Sequence, residues 1–344
     1  MKHIAAWLGL SFILTMPASH AQTAPARPFI VGIGRSIHDA TGVTAALSWL
    51  GVRSVRLDIP WKEVEKTPGV YKMPDWVERA VDEANAQGIA TLAILAYGHP
   101  SYGSDKPRSP AAIAAYSRYA HFVVEHFKDR IRLYDVWNEW ETHTGHTTPG
   151  AAMDYVTLLR STYPAIKEAN SQAIVLSGGF LGASLDSGWF ESFLRAGGLQ
   201  YVDALSVHPY NYQQSGVDLP ERAVAQLERM HALAQTYARG RAIDIYITEM
   251  GFPIYQGKGG VSDARAVDFL NRFYRAAAAQ DFIAGVWWYC LRDQGRDPTD
   301  KEQNFGVMDF SMVPKSVAYA LRGVSAALTQ SRPQPPSALQ ATPD

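Results

Sequence analysis

The sequence predicts a single-domain (β/α)8 TIM barrel, on three observations. From residue 29 onward, eight apolar, β-rich runs alternate with eight amphipathic stretches. The runs are mostly continuous rather than alternating, as expected of parallel strands buried on both faces. No glycine-rich phosphate loop follows an early strand, which disfavours an open doubly wound sheet, the nearest rival. The short "GIGRS", Gly32 to Ser36, reads as a tight turn.

The strand candidates are residues 29–34, 54–59, 90–96, 131–137, 173–177, 204–207, 243–248 and 283–289. The helical stretches are 42–50, 74–87, 110–127, 151–169, 188–196, 220–238, 262–279 and 315–328. Pro74, Pro110 and Pro220 suit a first helical turn, where a missing N–H is harmless. Ser262 is a candidate N-cap. "NAQGIA" and "YARGRA" place Gly88 and Gly240 as helix ends leading into the next strand.

The flanks read differently. Met1-Lys2-His3 is a short basic start, and residues 4–16 form an apolar run too short for a good bilayer span. Ser19-His20-Ala21 supplies small residues at a cleavage site. Residues 1–21 are therefore expected to be a secretory signal peptide and 22–28 a linker. The barrel occupies 29–329, and a Pro-rich tail, 330–344, is expected to be disordered. Export implies a periplasmic or extracellular location, and no later segment promises a membrane span. Cys290 is the only cysteine, so the chain has no internal disulfide, and it reads as a strand-end hydrophobe. A net charge of −1 gives no broad case for nucleic acid or an anionic membrane. Nothing marks oligomerisation, and a monomer is the expectation.

Two strand candidates end abruptly on a glutamate: "YDVWNEW" on Glu139 and "YITEMGF" on Glu249. A carboxylate at a buried strand end is desolvated and costs free energy. In this fold, chemistry gathers at the C-terminal strand ends. The ends of the fourth and seventh candidates face each other across the barrel mouth. Two carboxylates aimed into one cleft point to glycosidic-bond cleavage, one a neutral acid at rest and the other an ionised nucleophile. That chemistry needs only a water besides the two carboxylates, so no cofactor is implied. His143 and His146 in "THTGH" have an H-x-x-H spacing but no third ligand nearby, so a solvated loop is expected rather than a metal site.

"WNE" at the fourth strand and "TE" plus glycine at the seventh resemble the clan A retaining glycoside hydrolases. The chain looks most like family 39, and within it like bacterial single-barrel members associated with exopolysaccharide gene clusters. The resemblance runs from Phe29 to the closing "NFGVMDFSMVPKSVAYAL". It implies that Glu139 is the acid/base and Glu249 the nucleophile. Asn138 would hydrogen-bond the sugar 2-hydroxyl. Arg56, in "SVRLDIPW", would hold the nucleophile ionised. His208 or Tyr210, in "SVHPYNY", would bond the nucleophile or a sugar hydroxyl. In "GVWWYCLRD", Trp288 is the favoured platform under the sugar, with Trp287 and Tyr289 as alternates, because period-two alternation lets only some of them face inward. Trp61, Tyr97, His99, Trp140 and Tyr212 lie just past strand ends and are further candidates for stacking on sugar C–H faces.

Trp140 stands where relatives carry the proline of "NEP", and the chain has no room for the extra β-sandwich of family xylosidases. Both differences favour an open groove and endo-acting cleavage of a polysaccharide, including a bacterial exopolysaccharide, over an exo-acting β-xylosidase or arabinosidase. A non-catalytic glycan-binding barrel is the reading from another class. A metal-dependent esterase or phosphodiesterase is a distant further one.

Overall fold

The computed structural model describes residues 28–34, 42–258 and 260–330. The expected signal peptide, the linker up to residue 27 and the tail beyond Gln330 lie outside the described residues. The elements are β1 (Ile30–Gly34), α1 (Val43–Leu50), β2 (Ser54–Pro60), α2 (Trp61–Val64), α3 (Asp75–Ala86), β3 (Ala90–Ala96), α4 (Pro110–His126), β4 (Leu133–Val136) and α5 (Ala152–Ala169). The order continues with β5 (Ile174–Leu176), β6 (Phe180–Leu181), α6 (Trp189–Arg195), β7 (Leu205–His208), α7 (Leu219–Tyr237), β8 (Ile245–Met250), α8 (Asp263–Ala278), β9 (Ile283–Trp288) and α9 (Ser316–Gln330). Every expected strand and helix is present within a few residues, and α9 extends to the first residue of the expected tail.

All strand pairings are parallel, in the order β5-β4-β3-β2-β1-β9-β8-β7-β6. The ninth strand was not expected. It is the broken continuation of β5, so the barrel still has eight staves. The amide of Asp203 donates to Val175 O at 2.8 Å and that of Ser206 to Ser177 Oγ at 2.8 Å, which joins β5 to the approach of β7. The break falls at Gly178 and Gly179, both left-handed at φ 77° and 62°. A Cβ at Gly178 would strike the Tyr155 hydroxyl, and one at Gly179 the His208 imidazole.

Two cores share the load. Inside the barrel lie Leu92, Ile94, Ala96, Leu133, Leu176, Ala204, Tyr246 and Trp287. Outward-facing strand residues such as Leu57, Ile59, Val136 and Val286 pack against the helices in the larger core. Gly32 corrects the turn expected at "GIGRS": Gly32 and Gly34 are strand residues, and a methyl on Gly32 would overlap the Trp287 indole. The bare position admits the large ring to the interior. Helix ends follow the sequence signals. Ser262 accepts from the Arg265 amide at 3.3 Å, Ser109 caps the helix that Pro110 opens, and Gly88 and Gly240 are left-handed. Among the described residues no helix is long and apolar enough to cross a membrane.

Candidate active site

A cavity of about 690 Å³ opens at the C-terminal strand ends, lined by Arg56, Asp58, Tyr97, Asn138, Glu139, His208, Tyr210, Glu249 and Tyr289, with Tyr212, Gln213, Gln214, Lys301 and Glu302 further out. Glu139 reaches it through a bent backbone: Trp137 and Glu139 are left-handed at φ 71° and 49°, and the Glu139 amide donates to Gly178 O at 2.7 Å. Glu249 lies within β8 itself and is buried. An oxygen of Glu139, an oxygen of Glu249 and a nitrogen of His208 lie within 4.8 Å of one another.

Arg56 organises the Glu249 side of the cavity. Its Nη2 lies 2.8 Å from Glu249 Oε1 and donates to Asn138 Oδ1 at 2.8 Å. Burial works against its charge, but Glu249 and Asp58 outweigh this and push its pKa further up. Tyr210 donates its hydroxyl to Glu249 Oε2 at 2.8 Å. Asn138 Nδ2 donates to the Tyr97 hydroxyl at 3.2 Å.

On the Glu139 side two groups share a hydrogen bond. Glu139 Oε1 lies 2.8 Å from His208 Nδ1, and Thr144 Oγ1 donates to Glu139 Oε2 at 2.6 Å. Burial alone would raise the Glu139 pKa. The hydrogen bond and charge of His208, with Thr144, carry it below the usual carboxylate range instead. Burial alone would lower His208, yet Glu249 and Glu139 hold it above the ordinary imidazole value. Both directions favour a Glu139 carboxylate hydrogen-bonded to a protonated His208 over two neutral groups. Beneath, His208 Nε2 meets Thr248 Oγ1 at 2.9 Å, Thr248 meets Ser206 at 2.5 Å, and Ser206 donates to Asp135 at 2.6 Å. This chain fixes the ring's orientation.

The platform residue is corrected by strand parity. Trp288 points outward and packs on Phe269 and Tyr274 of α8. Trp287 points inward but below the site, donating to Ser54 Oγ at 3.1 Å. Tyr289, two residues after Trp287, is the aromatic that lines the cavity. Three further candidates are also structural. Trp61 is buried against Tyr102 and donates to Glu65 at 2.5 Å. His99 bonds Glu65 O at 2.5 Å and caps a short turn. Trp140 is buried and donates to Ala151 O at 3.1 Å. Trp61 opens α2, His99 and Trp140 stand on loops, and a hydrogen bond within the fold satisfies the polar edge of each. Tyr97 and Tyr212 do line the cavity.

Sequence reasoning passed over Asp58, Thr144, Thr248 and Asp135. Asp58 and Asp135 were legible in principle as charges inside β2 and β4. Thr144 sits on an irregular loop and left no signal.

Glu139, His208 and Glu249 are also the one described group whose donors could meet on a metal. Their atoms are already committed to Arg56, Tyr210, Thr144 and Thr248, and the Arg56 charge 2.8 Å from Glu249 opposes a second cation there. His143 and His146 are exposed, and His143 Nδ1 bonds Thr147 O at 3.2 Å.

No protein-family model matches the chain, and no curated protein matches it. Solved structures do. The chain is similar to a family 39 glycoside hydrolase from the gut symbiont Bacteroides cellulosilyticus WH2, at 21% identity and a TM-score of 0.72, over 88% of this chain and 64% of that one. It thus spans less than two thirds of that neighbour's length. It is similar to GH5_18 from Streptomyces cattleya, solved with GlcNAc, at 17% identity and a TM-score of 0.71, over 90% of this chain and 82% of that one. It is also similar to xylanase 10B from Thermotoga maritima, at 16% identity and a TM-score of 0.66, over 90% and 100%. At such identities the likeness shows the fold, a single-domain (β/α)8 barrel.

Proposed function

We propose that the chain is a retaining glycoside hydrolase, similar to family 39, that cleaves a polysaccharide internally by double displacement. The observation that carries this is the carboxylate pair at the ends of β4 and β8. One oxygen of each lies within 4.8 Å of one of the other, a close approach that supports the carboxyl separation of about 5–5.5 Å typical of retention over the roughly 6.5–9.5 Å that leaves room for an inverting water. The glycoside hydrolase neighbours on the same fold support the reading.

Glu249 is the nucleophile. Arg56 and Tyr210 each bond one of its oxygens, which aims it and gives it an opposite charge. Glu139 is the acid/base. When sugar fills the cavity and displaces water, the separated charges of Glu139 and His208 become more costly. The proton then passes across the 2.8 Å hydrogen bond to Glu139, and from there to the departing glycosidic oxygen as Glu249 attacks the anomeric carbon. Glu139, ionised again, draws a proton from the water that frees the glycosyl-enzyme. Asn138 faces the 2-hydroxyl, and Tyr289 lies under the ring.

Endo action is supported by cavity size: about 690 Å³ lies in the range of clefts that enclose drug-sized ligands, roughly 300–1,000 Å³, with room beyond one sugar ring. Export by the leader, a monomeric state and a bacterial exopolysaccharide substrate complete the proposal. The test is reducing-end release from a panel of bacterial and plant polysaccharides by wild type, Glu139→Gln and Glu249→Gln, with products sized. Oligosaccharides from the wild type and none from either variant support it. Single sugars would contradict endo action, and binding without turnover would leave a glycan-binding barrel. Loss of turnover on chelation would point to metal-dependent hydrolysis.

A further inference from the structure

Beside Glu139 and Glu249, and deeper in the cavity than Glu302, lies a further carboxylate that double displacement does not use. Asp58 follows Arg56 by two residues on β2, so both face the mouth while Leu57 and Ile59 face the helices. Asp58 lines the cavity beside Tyr97, Asn138 and Glu249. Its side chain is 18% exposed, and its ion-pair contact, Arg56 Nη1 at 3.7 Å, is beyond hydrogen-bond reach. No donor among the described residues hydrogen-bonds its carboxylate. Burial pushes its pKa above the usual range, against the opposing pull of Arg56. An acceptor-only group so placed takes its donors from whatever occupies the cavity.

Among the described residues, the basic groups that line the cavity are all engaged. Arg56 serves Glu249, Asn138 and Asp58. His208 uses both nitrogens, on Glu139 and Thr248. Lys301 lies 2.7 Å from Glu302 and over the Tyr212 ring. A sugar carrying a carboxylate or sulfate beside Glu249 would meet three carboxylates and, among the described residues, no uncommitted cation.

We propose that Asp58 is a substrate-binding residue that accepts hydrogen bonds from two neighbouring hydroxyls of the sugar beside Glu249, and that it restricts this subsite to neutral sugars. The proposal rests on the glycosidase reading above and names its substrate class. Two acceptor oxygens of one carboxylate match a pair of adjacent hydroxyls, and hydrogen bonds to a charged group carry enough energy to dominate selection at one subsite.

The test separates binding from cutting. Wild type, Asp58→Asn and Asp58→Ala are run through native gels containing neutral polymers (xylan, galactomannan, mixed-linkage β-glucan) or anionic ones (polygalacturonate, alginate, hyaluronate). The same polymers are assayed for new reducing ends. Melting curves check both variants, and Asp58→Asn, which keeps the shape, decides if Asp58→Ala melts early. Wild type is expected to be retarded, and to cut, only with a neutral polymer. The variants should lose affinity or kcat/KM by about 10- to 100-fold, the worth of one such hydrogen-bonded set. Retardation by a neutral polymer that depends on Asp58, without any cutting, supports the subsite and removes the glycosidase reading. Cutting at equal rates by wild type and both variants overturns the subsite and leaves that reading intact. Retardation by anionic polymers, or by no neutral polymer, also overturns it.

Discussion

Arg56→Met is the sharpest structural perturbation of the site. The guanidinium sits 2.8 Å from Glu249, 2.8 Å from Asn138 and 3.7 Å from Asp58. Removing it strands two carboxylates beside a low-dielectric wall. Breaking a buried pair on one side costs about 3–5 kcal/mol. The Asp58 and Glu249 side chains keep 18% and 10% exposure to a wet cavity, which solvates part of the charge and places the cost near the low end, about 3 kcal/mol. For a domain of this size that is a fall of about 5 °C in Tm. The pH dependence identifies the cause. Burial already raises the Asp58 pKa, and in the variant it loses the opposing pull of Arg56, so its folded pKa lies further above its unfolded one and protonation stabilises the fold. The deficit is therefore largest near pH 7 and shrinks as the pH falls toward about 4.5. Urea melts followed by circular dichroism at both pH values measure it. A deficit under about 1 kcal/mol at neutral pH, or one that does not shrink on acidification, would refute the ion-pair account, since loss of packing alone costs the same at either pH.

Two further predictions concern neighbouring parts of the barrel. The raised His208 gives stability that is complete below about pH 6.5 and lost as the pH rises through its folded value. The lowered Glu139 gives stability that is complete above about pH 4.5 and lost as the pH falls through its folded value. His208→Gln should remove the alkaline loss, seen as a flatter urea midpoint from about pH 6 to 9; an unchanged slope would place the titrating group elsewhere. Gly32→Ala drives a methyl into the Trp287 indole and should cost about 1–3 kcal/mol by overpacking, read from the denaturation midpoint.

Much of this site was legible from residues alone because its parts sit on strands or just past their ends. Glu139 and Glu249 each end an apolar run, and burying a charge there announces a purpose. Arg56, Asn138, His208 and Tyr210 share their short segments with an unusual density of polar groups. What stayed hidden depends on parity and on loops. Whether residue 287, 288 or 289 faces the cavity turns on a one-residue phase that periodicity cannot set in a strand apolar on both faces. Trp61, His99 and Trp140 lie past strand ends, where only the loop path decides between rim and core. The fifth stave breaks at Gly178-Gly179 because His208 and Tyr155 need the space there, a tertiary demand with no local sign. The Glu139–His208 pair joins residues 69 positions apart, so the hydrogen bond that lowers the Glu139 pKa could not be read from either motif.

The central claim is double displacement by Glu139 and Glu249. It is tested most directly by proton NMR of the first products from a polymer the chain cuts, recorded before mutarotation equilibrates the new reducing ends. The account predicts that the newly formed anomeric centre initially keeps the configuration of the bond that was cleaved. Initial appearance of the opposite anomer would contradict it.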